Sequence, residues 1–312
     1  KLYCVAGRSM FLDGGLRMVI LNPKTGELIS KNRMDSSVPN SDKNLQDLLM
    51  GKHMPVAQPD ILSSDGKYIY MRSQTFNKNG KRVRISPQRP DTQYGEEVHL
   101  FSPTSFLDDS WHHRTYWLYG RAAGEGWAEF QLPPKRVPYG RVMCIDDKNA
   151  YSYGRLPELL CNCSINEYKL YSANKIPERK VGIPRLEGDN WPEPKYDTKN
   201  QLAAHTVNWK RLDAMPKEKL TALDYNWEIL QPDIMARGMV LAGDKLFIAG
   251  PKDVVNEKEM WGQSNKEIFH KKMQEQTEWL KGENGAFIWV VSKDTGKRLA
   301  HYKVSYLPSY DG

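Results

Sequence analysis

The chain has 312 residues, of which 39% are hydrophobic, so it is long enough to bury one large core or two smaller ones. No apolar run approaches the roughly 20 residues that a membrane helix needs, and we expect no membrane-spanning helix. The formal net charge is +7. The basic clusters are not interleaved with aromatic residues as on a nucleic-acid surface, so we expect no nucleic-acid partner.

One strand-like sequence recurs along the chain. Its copies are Lys1–Gly7, Lys67–Arg72, Asn149–Gly154 and Lys245–Gly250. Each of the last three copies follows an apolar run and a turn rich in Gly or Asp, as in the stretch 238–244. Short apolar runs joined by such turns are typical of antiparallel hairpins. Recurrence of the same unit predicts a repeat architecture.

A second tight turn recurs after the third strand of the unit. Its copies are Lys24-Thr25-Gly26, Lys78-Asn79-Gly80 and Asp294-Thr295-Gly296. A polar residue before Gly suits a turn that requires positive φ. Extra strands are predicted at His99–Ser102 and Arg114–Tyr119. Four antiparallel strands per unit make a propeller blade, so the sequence predicts an all-β propeller of four-stranded antiparallel blades.

The copies lie further apart than the roughly 40–45 residues of a compact blade, so the blades must carry long loop and helical insertions. We place these insertions near residues 31–57, 177–205 and 256–284. A short helix is expected at 44–50.

A longer helix is predicted over 264–281. Ser264 can cap it, Glu267 completes a capping box, and Gly282 ends it. Its predicted apolar stripe consists of Phe269, Met273 and Leu280, with Ile268 and Trp279 beside it.

The ends of the chain also fit a repeat. The first strand copy has no preceding strand and turn, and the last residues stand where another such strand would start. We therefore expect residues 1–312 to form one propeller domain that is part of a longer chain, with further domains in the same protein.

The strand Lys245–Gly250 and the run Trp289–Leu299 together resemble the PQQ-like repeat of quinoprotein-type β-propellers. Such repeats carry an Asp-x-x-Thr-Gly turn after the third strand of each blade, which matches Ser292–Gly296 and Leu21–Gly26. The sequence of the chain most resembles those of large uncharacterised secreted bacterial propellers. This resemblance implies a periplasmic or secreted location.

Blades of this family often dock a Trp between neighbours. Here Leu28, Val83 and Leu299 stand near the positions where that Trp would come, so the resemblance predicts packing that departs from the family pattern.

The resemblance implies two functional classes. Quinoprotein dehydrogenases bind PQQ and calcium and typically use a vicinal cysteine pair, whereas Cys161 and Cys163 have one residue between them. Other members bind proteins without a cofactor. We therefore favour a non-catalytic scaffold or binding module for protein or glycan partners, with no cofactor and no metal. The alternative is a quinoprotein-like oxidoreductase, with PQQ and calcium, or a carbohydrate-active enzyme.

The densest polar group of the sequence supplies the residues for that alternative. Asp108, His112, His113 and Arg114 could perform acid–base chemistry at a propeller mouth. The other interpretation is that they fix turns and hydrogen bonds within a blade. Candidate binding residues are Trp111, Trp117 and Trp191.

Several other polar and aromatic residues have a structural interpretation. We interpret Asp65 and the pair Asp146-Asp147 as turn acids, that is, as acidic residues whose role is to form turns. Four tryptophans could line the base of a sugar-binding groove or could pack between blades. They are Trp191, Trp209, Trp227 and Trp261.

Overall fold

The structure is a computed structural model of the chain. It describes residues 1–48, 61–86, 97–102, 117–121, 136–156, 167–176, 214, 216–217, 221–260 and 265–309. The chain divides into two compact units, Lys1–Pro133 and Pro134–Gly312. Both units consist mainly of antiparallel sheets, which confirms the predicted all-β class. Closure of these sheets into one propeller domain stays a prediction.

The first unit contains three groups of paired strands. Strands β1, β2 and β3 pair in that order, β4 to β7 form a four-stranded sheet, and β8 pairs with β9. The elements are β1 (Leu2–Ala6), β2 (Leu16–Leu21), β3 (Leu28–Met34), α1 (Leu45–Leu48), β4 (Ser63–Ser64), β5 (Ile69–Met71), β6 (Gln74–Phe76), β7 (Arg82–Ile85), β8 (His99–Phe101) and β9 (Trp117–Gly120).

The second unit contains two four-stranded sheets among its described residues, in the orders β11-β12-β13-β14 and β15-β16-β17-β18. The elements are β10 (Tyr139–Gly140), β11 (Val142–Ile145), β12 (Asn149–Leu156), β13 (Glu167–Asn174), β14 (Tyr225–Leu230), β15 (Gly238–Ala242), β16 (Lys245–Gly250), α2 (Glu257–Met260), α3 (Glu267–Lys281), β17 (Ala286–Ser292) and β18 (Arg298–Val304). Within the described part of the chain, no helix is long and apolar enough to cross a membrane.

A glycine turn joins the last two strands in three sheets, and the turn that contains Gly80 is one residue shorter than the other two. Gly26, Gly80 and Gly296 have φ angles of 73°, 74° and 70°, which confirms the positive φ predicted from the sequence. Each glycine donates its N–H to a backbone oxygen at the end of the preceding strand. A register shift precedes the turn in each of the three sheets. The three turns are therefore structural copies of one repeat unit.

The first hairpin turn repeats in two sheets through an Asp–Tyr pair. Asp65 and Asp146 each accept backbone N–H groups within their own turn. The hydroxyl of Tyr70 donates to Asp65 at 2.7 Å, and that of Tyr151 donates to Asp146 at 2.9 Å. Burial raises the pKa of Asp146, but these hydrogen bonds outweigh it and bring the pKa to about 2. The interpretation of both residues as turn acids is confirmed.

A side chain from the last strand of one sheet holds the second turn of the next sheet. In the second unit, Trp227 of β14 donates its indole N–H to the backbone oxygen of Lys293 at 2.7 Å. A Cβ atom on Gly296 would lie 2.6 Å from the Trp227 ring, so only glycine allows this contact. In the first unit, Asn32 of β3 makes the equivalent contact. Its side-chain amide donates to the backbone oxygen of Asn79 at 2.8 Å.

This contact corrects one prediction from the sequence. Leu28 and Leu299, which were expected near the docking position, are 60% and 50% exposed. The docking side chain is Trp227, which lies on the last strand of the preceding sheet rather than beside the Thr-Gly turn. Of the two roles considered for Trp227, packing between sheets is therefore the one observed.

Each unit buries an apolar core between facing sheets. In the first unit the core joins β2 with β5 and β6, and its buried members are Met10, Leu16, Met18, Met34, Leu45, Ile69, Met71 and Phe76. In the second unit the core joins the two four-stranded sheets, and its buried members are Tyr151, Tyr153, Tyr168, Leu170, Ile234, Ala236, Leu246, Ile248, Trp289 and Val291. Burial of these side chains is the main stabilising contribution to both units.

Helix α3 differs from its prediction at the start and along its buried face. It begins at Glu267, and its cap residue Lys266 makes no side-chain hydrogen bond, so the predicted capping box is wrong. Gly282 ends the helix with φ 82°, as predicted. The buried side chains are Phe269, Gln276 and Trp279, whereas the predicted Met273 and Leu280 are 47% and 40% exposed.

The buried face of α3 includes a polar residue, Gln276, which lies two turns after Phe269 on the same side of the helix. Its side-chain oxygen accepts the backbone N–H groups of Val254 and Val255, at 2.7 and 3.3 Å. Its amide nitrogen donates to the backbone oxygen of Lys252 at 3.1 Å. The amide of Gln276 therefore satisfies backbone groups of the preceding loop.

His99 is a buried histidine of the first unit that contacts two strained residues. Its ring nitrogens lie 2.8 and 2.9 Å from the backbone oxygens of Glu97 and Arg72. Both of those residues have positive φ, 75° and 51°. The ring also stacks on Tyr70 at 4.1 Å. Burial lowers the pKa of His99 and outweighs the two carbonyl contacts, which favour the charged form.

The lowered pKa predicts acid sensitivity. Below the ordinary histidine pKa of about 6.5, the unfolded chain takes up a proton that buried His99 resists, so the free energy of unfolding falls by up to about 1.4 kcal/mol per pH unit. We expect His99→Asn to flatten this acid limb between pH 7 and 5, measured by urea unfolding. His270→Asn, which changes an exposed histidine, is the control. An acid limb that is unchanged in His99→Asn would contradict the prediction.

Candidate functional site

Most of the site residues predicted from the sequence lie outside the described residues. These are Asp108, Trp111, His112, His113, Arg114 and Trp191. Trp117 is described: it is half-buried and is the first residue of β9. Their roles in catalysis or binding stay predictions.

A different group of acidic residues converges in the second unit. Glu167 is the first residue of β13, Asp233 lies between β14 and β15, Asp253 follows β16, and Glu257 is the first residue of α2. We call these four residues the carboxyl cluster. They meet because β13 begins, and β14 and β16 end, at the same edge of the two packed sheets.

Backbone contacts join the two loops that carry Asp233 and Asp253. The N–H of Asp253 donates to the backbone oxygen of Asp233 at 3.3 Å, and that of Met235 donates to Pro251 at 2.9 Å. An isolated β-bridge pairs Ile234 with Lys252. Because Gln276 also holds the segment 252–255, the Asp253 backbone has a defined position.

Glu167 has a structural contact within the carboxyl cluster. Its carboxylate accepts the backbone N–H of Glu257 at 2.6 Å and so satisfies a donor at the start of α2. Burial nevertheless raises the pKa of Glu167, and the charge of Glu257 adds to the effect. Glu167 therefore anchors α2 and also contributes negative charge near Asp253.

Asp253 is the most perturbed acid of the carboxyl cluster. Burial, together with the charges of Glu167, Glu257 and Asp233, raises its pKa to about 7. Its neighbour Lys252 contacts Glu275 at 3.5 Å instead. No described residue donates a hydrogen bond to its carboxyl group. Asp253 is therefore close to half-protonated near neutral pH.

The nearest ion pair of the carboxyl cluster involves Asp233 rather than Asp253. Arg298 approaches Asp233 at 3.3 Å, and its guanidinium also lies 4.4 Å from the centre of the Trp289 ring. Asp233 is thus partly compensated. Among the described residues, no cation offsets the charge of Asp253.

A buried tyrosine lies beneath this acidic edge. Tyr153 of β12 is 1% exposed, and its ring stacks on Tyr168, the neighbour of Glu167, with centroids 4.6 Å apart. Its hydroxyl group is buried without a hydrogen-bond partner. Burial raises the pKa of Tyr153 well above its usual value, and Asp253 is the strongest of the charges that act in the same direction. The hydroxyl is therefore within electrostatic reach of the carboxyl cluster.

This arrangement supports two kinds of chemistry. An acid with a pKa near 7 beside a second raised carboxyl group can accept and donate protons at physiological pH. The carboxyl group of Asp253, which no cation offsets among the described residues, can also attract a cation. Metal chelation is less suited, because no three His, Cys, Asp or Glu residues of the described ranges are arranged to hold a metal ion.

The raised pKa gives a testable effect on stability. Between pH 4 and 7 the folded state keeps the Asp253 proton that the unfolded chain loses, so stability from this group falls as pH rises and is fully lost above pH 7. We expect Asp253→Asn to stabilise the protein by about 1–3 kcal/mol at pH 8, after allowing for solvent screening, and far less at pH 5. Urea unfolding at both pH values measures the effect.

The control for this stability effect is Asp147→Asn, which removes an equal charge from an exposed turn of the same unit. It should leave the free energy of unfolding within about 0.5 kcal/mol of wild type at both pH values. Equal stabilisation by the two variants would show that net charge, rather than the site of Asp253, is responsible.

Comparison with known proteins gives no family assignment. No protein-family model matches the sequence, and no curated protein matches it either. A function for this chain therefore has to be proposed from its own residues.

Sequence reasoning missed the carboxyl cluster because its members are far apart in the chain. Glu167 and Asp253 are separated by the strands β13 and β14 and by the β15–β16 hairpin, and neither belongs to a recognisable motif. One usable signal exists: both stand at the same edge of neighbouring repeats, one as the first residue of a strand and the other shortly after the end of a strand. Placing acids by their position in the repeat would have suggested that they meet.

Proposed function

We propose that this chain is a non-catalytic binding module of a secreted or envelope protein, built on PQQ-like β-propeller blades, that binds a protein or glycan partner. The repeated Gly turns and the docking of Trp227 on Gly296 support the propeller part of the proposal. They are features expected of blades that stack in sequence. No cofactor is required for this role.

The observation that carries the binding role is the unsatisfied carboxyl group of Asp253. A partly buried acid that is surrounded by like charges lowers stability, and proteins concentrate such groups at functional sites. The carboxyl cluster stands on sheet ends and on a loop fixed by Gln276, so its geometry is prepared before any ligand arrives. Rigid placement of unsatisfied polar groups is what a recognition surface requires.

Direct binding measurements test this proposal. We expect the full chain to bind at least one ligand class, saturably, on a glycan array and on a set of extracellular proteins immobilised for surface plasmon resonance. Asp253→Asn should weaken that binding, and Asp147→Asn should not. Binding that no cluster variant alters would place the recognition surface elsewhere, and the absence of saturable binding to either class would refute the binding role.

The alternative is an enzyme, and the pKa of Asp253 is the observation that favours it. Two carboxyl groups with raised pKa are the groups that a carbohydrate-active enzyme uses as acid and base. Turnover of chromogenic glycosides that disappears in Asp253→Asn would establish this alternative. A quinoprotein-like oxidoreductase with PQQ and calcium is the other form of this alternative.

A further inference from the structure

We infer that the outer face of the β1–β3 sheet docks on the β15–β18 sheet of a second copy of this chain. The contact would repeat the packing that joins neighbouring sheets within the chain. The inference goes beyond the proposed binding role, because it uses no residue of the carboxyl cluster.

The docking surface on the β1–β3 sheet is a row of leucines across three paired strands. Leu2 pairs with Leu21, and Leu21 pairs with Leu28; we call these three residues the leucine face. Tyr3 and Val5 pack on the core of the first unit, and alternation along β1 therefore points the leucine face away from that core. Leu2 and Leu28 are 48% and 60% exposed. Exposed apolar side chains in one row are typical of an interaction surface.

The same positions are covered in another sheet of the chain. Leu246 pairs with Val291 just before the Gly296 turn, as Leu2 pairs with Leu21 just before the Gly26 turn. Leu246 and Val291 are both 0% exposed and belong to the core between the two four-stranded sheets of the second unit. A neighbouring sheet of the same repeat is therefore the surface that these positions contact elsewhere in the chain.

The turn beside the leucine face gives an independent indication of a missing neighbour. A Cβ atom on Gly296 would lie 2.6 Å from the Trp227 ring, and one on Gly80 would lie 2.9 Å from the Met18 side chain. A Cβ atom on Gly26 would meet no atom within 4 Å. Of the three copies of this turn, the Gly26 copy is the one that no side chain covers.

The Gly26 turn also presents a backbone acceptor. Asn22 and Ser292 each accept the N–H of the turn glycine, so the residues that follow them, Pro23 and Lys293, occupy equivalent positions. The backbone oxygen of Lys293 accepts the indole N–H of Trp227. Among the described residues, none donates a hydrogen bond to the backbone oxygen of Pro23. The turn therefore has space for a docking side chain and an acceptor for its donor group.

A complementary surface lies on the β15–β18 sheet. Val240 and Phe247 pair across β15 and β16 and are 58% and 37% exposed. Their counterparts on β11 and β12, Cys144 and Tyr151, pair in the same way and pack in the core against the next sheet. The positions that contact a following sheet are thus covered on β11 and β12 and open on β15 and β16.

Tyr302 on β18 adds a hydrogen-bond donor to this surface. By strand register, Tyr302 stands where Asn32 stands on β3, and Asn32 donates to the backbone oxygen of Asn79 in the next turn. Tyr302 is 59% exposed, and its hydroxyl can donate in the same way to the Pro23 oxygen of a second copy. We call Val240, Phe247 and Tyr302 the aromatic face.

A contact between two different faces is heterologous, so it leaves one leucine face and one aromatic face open in every dimer. Such contacts continue into rings or open chains. Self-association should therefore proceed beyond the dimer as the protein concentration rises.

Sedimentation velocity of the full chain over a concentration series measures this association. Leu28→Asp and Val240→Asp should each weaken it about tenfold or more, because each places a charge in one of the two faces. Ile176→Asp places the same charge at an apolar residue that is 55% exposed and lies outside both faces, and it should behave like wild type.

Mixing the two variants tests whether the faces bind each other. Leu28→Asp keeps its aromatic face and Val240→Asp keeps its leucine face, so the mixture should form a complex with one copy of each variant, although neither associates alone. A symmetric contact, in which the same face meets itself, predicts no such recovery. Near-ultraviolet circular dichroism checks the fold of each variant, and Leu2→Asp with Phe247→Asp is the second pair if either loses its native spectrum.

Three results would overturn the inference. They are a wild-type chain that stays monomeric over the whole series, an equal effect of Ile176→Asp and Leu28→Asp, and a mixture that forms no complex. None of them bears on Asp253 or on partners found on the arrays, so failure of this inference leaves the proposed function to its own test.

Discussion

Replacing Glu228 by Gln should destabilise the protein by about 3–5 kcal/mol at pH 7, because it removes the carboxylate that a buried lysine contacts. The ammonium group of Lys169 on β13 is 0% exposed and lies 2.7 Å from Glu228 on β14. Lys169 also lies 3.8 Å from the centre of the Tyr225 ring. Burial raises the pKa of Glu228, but the charge and hydrogen bonds of Lys169 and Lys217 outweigh it and lower the pKa.

Two further variants show whether burial of Lys169 explains the loss of stability in Glu228→Gln. Lys217 also contacts Glu228 but is 67% exposed, so Lys217→Met should cost no more than about 1 kcal/mol. The double variant Lys169→Met with Glu228→Leu replaces the buried pair with apolar groups and should recover most of the lost stability. Guanidinium unfolding measures all three variants. A loss in Glu228→Gln no greater than that in Lys217→Met would show that burial of Lys169 does not determine the effect.

Replacing Gly296 by Ala should cost about 2–4 kcal/mol, because the new methyl group adds a steric conflict to backbone strain. The φ of Gly296 is 70°, and a Cβ atom there would lie 2.6 Å from the Trp227 ring. The ring has to move, and the hydrogen bond from Trp227 to Lys293 is lost with it. We expect thermal unfolding at a lower temperature and altered tryptophan fluorescence.

Gly26→Ala is a matched control for this substitution. Gly26 occupies the same position of the same turn, with φ 73°, but a Cβ atom there meets no atom within 4 Å. It should show only the strain of a left-handed alanine, about 1–2 kcal/mol. The difference between the two variants therefore measures the docking of Trp227. Equal destabilisation would mean that the tryptophan contributes nothing to the contact between the sheets.

The local features of the fold could be predicted from the sequence. The positive φ of Gly26, Gly80 and Gly296 follows from a polar residue before glycine, and the turn roles of Asp65 and Asp146 follow from their position between alternating runs. These features depend on a few neighbouring residues. The all-β class follows from their recurrence along the chain.

Features that depend on contacts between distant segments could not be predicted in this way. Trp227 docks on a turn that lies 66 residues later in the chain, and nothing in its own neighbourhood indicates that contact. Gln276 is buried because its amide bonds to a loop backbone, which its polar side chain gives no reason to expect. Asp253 has a raised pKa because three other segments bring their acids to it.

The insertion between β16 and β17 starts and finishes at adjacent points. Gly250 pairs directly with Phe287, so the whole segment that includes α2 and α3 spans the distance of an ordinary hairpin turn. Loop-closure entropy grows only slowly with length, and the strand register does not depend on what fills this gap. The segment that carries Asp253 can therefore vary in length at little entropic cost to the pairing of β16 with β17.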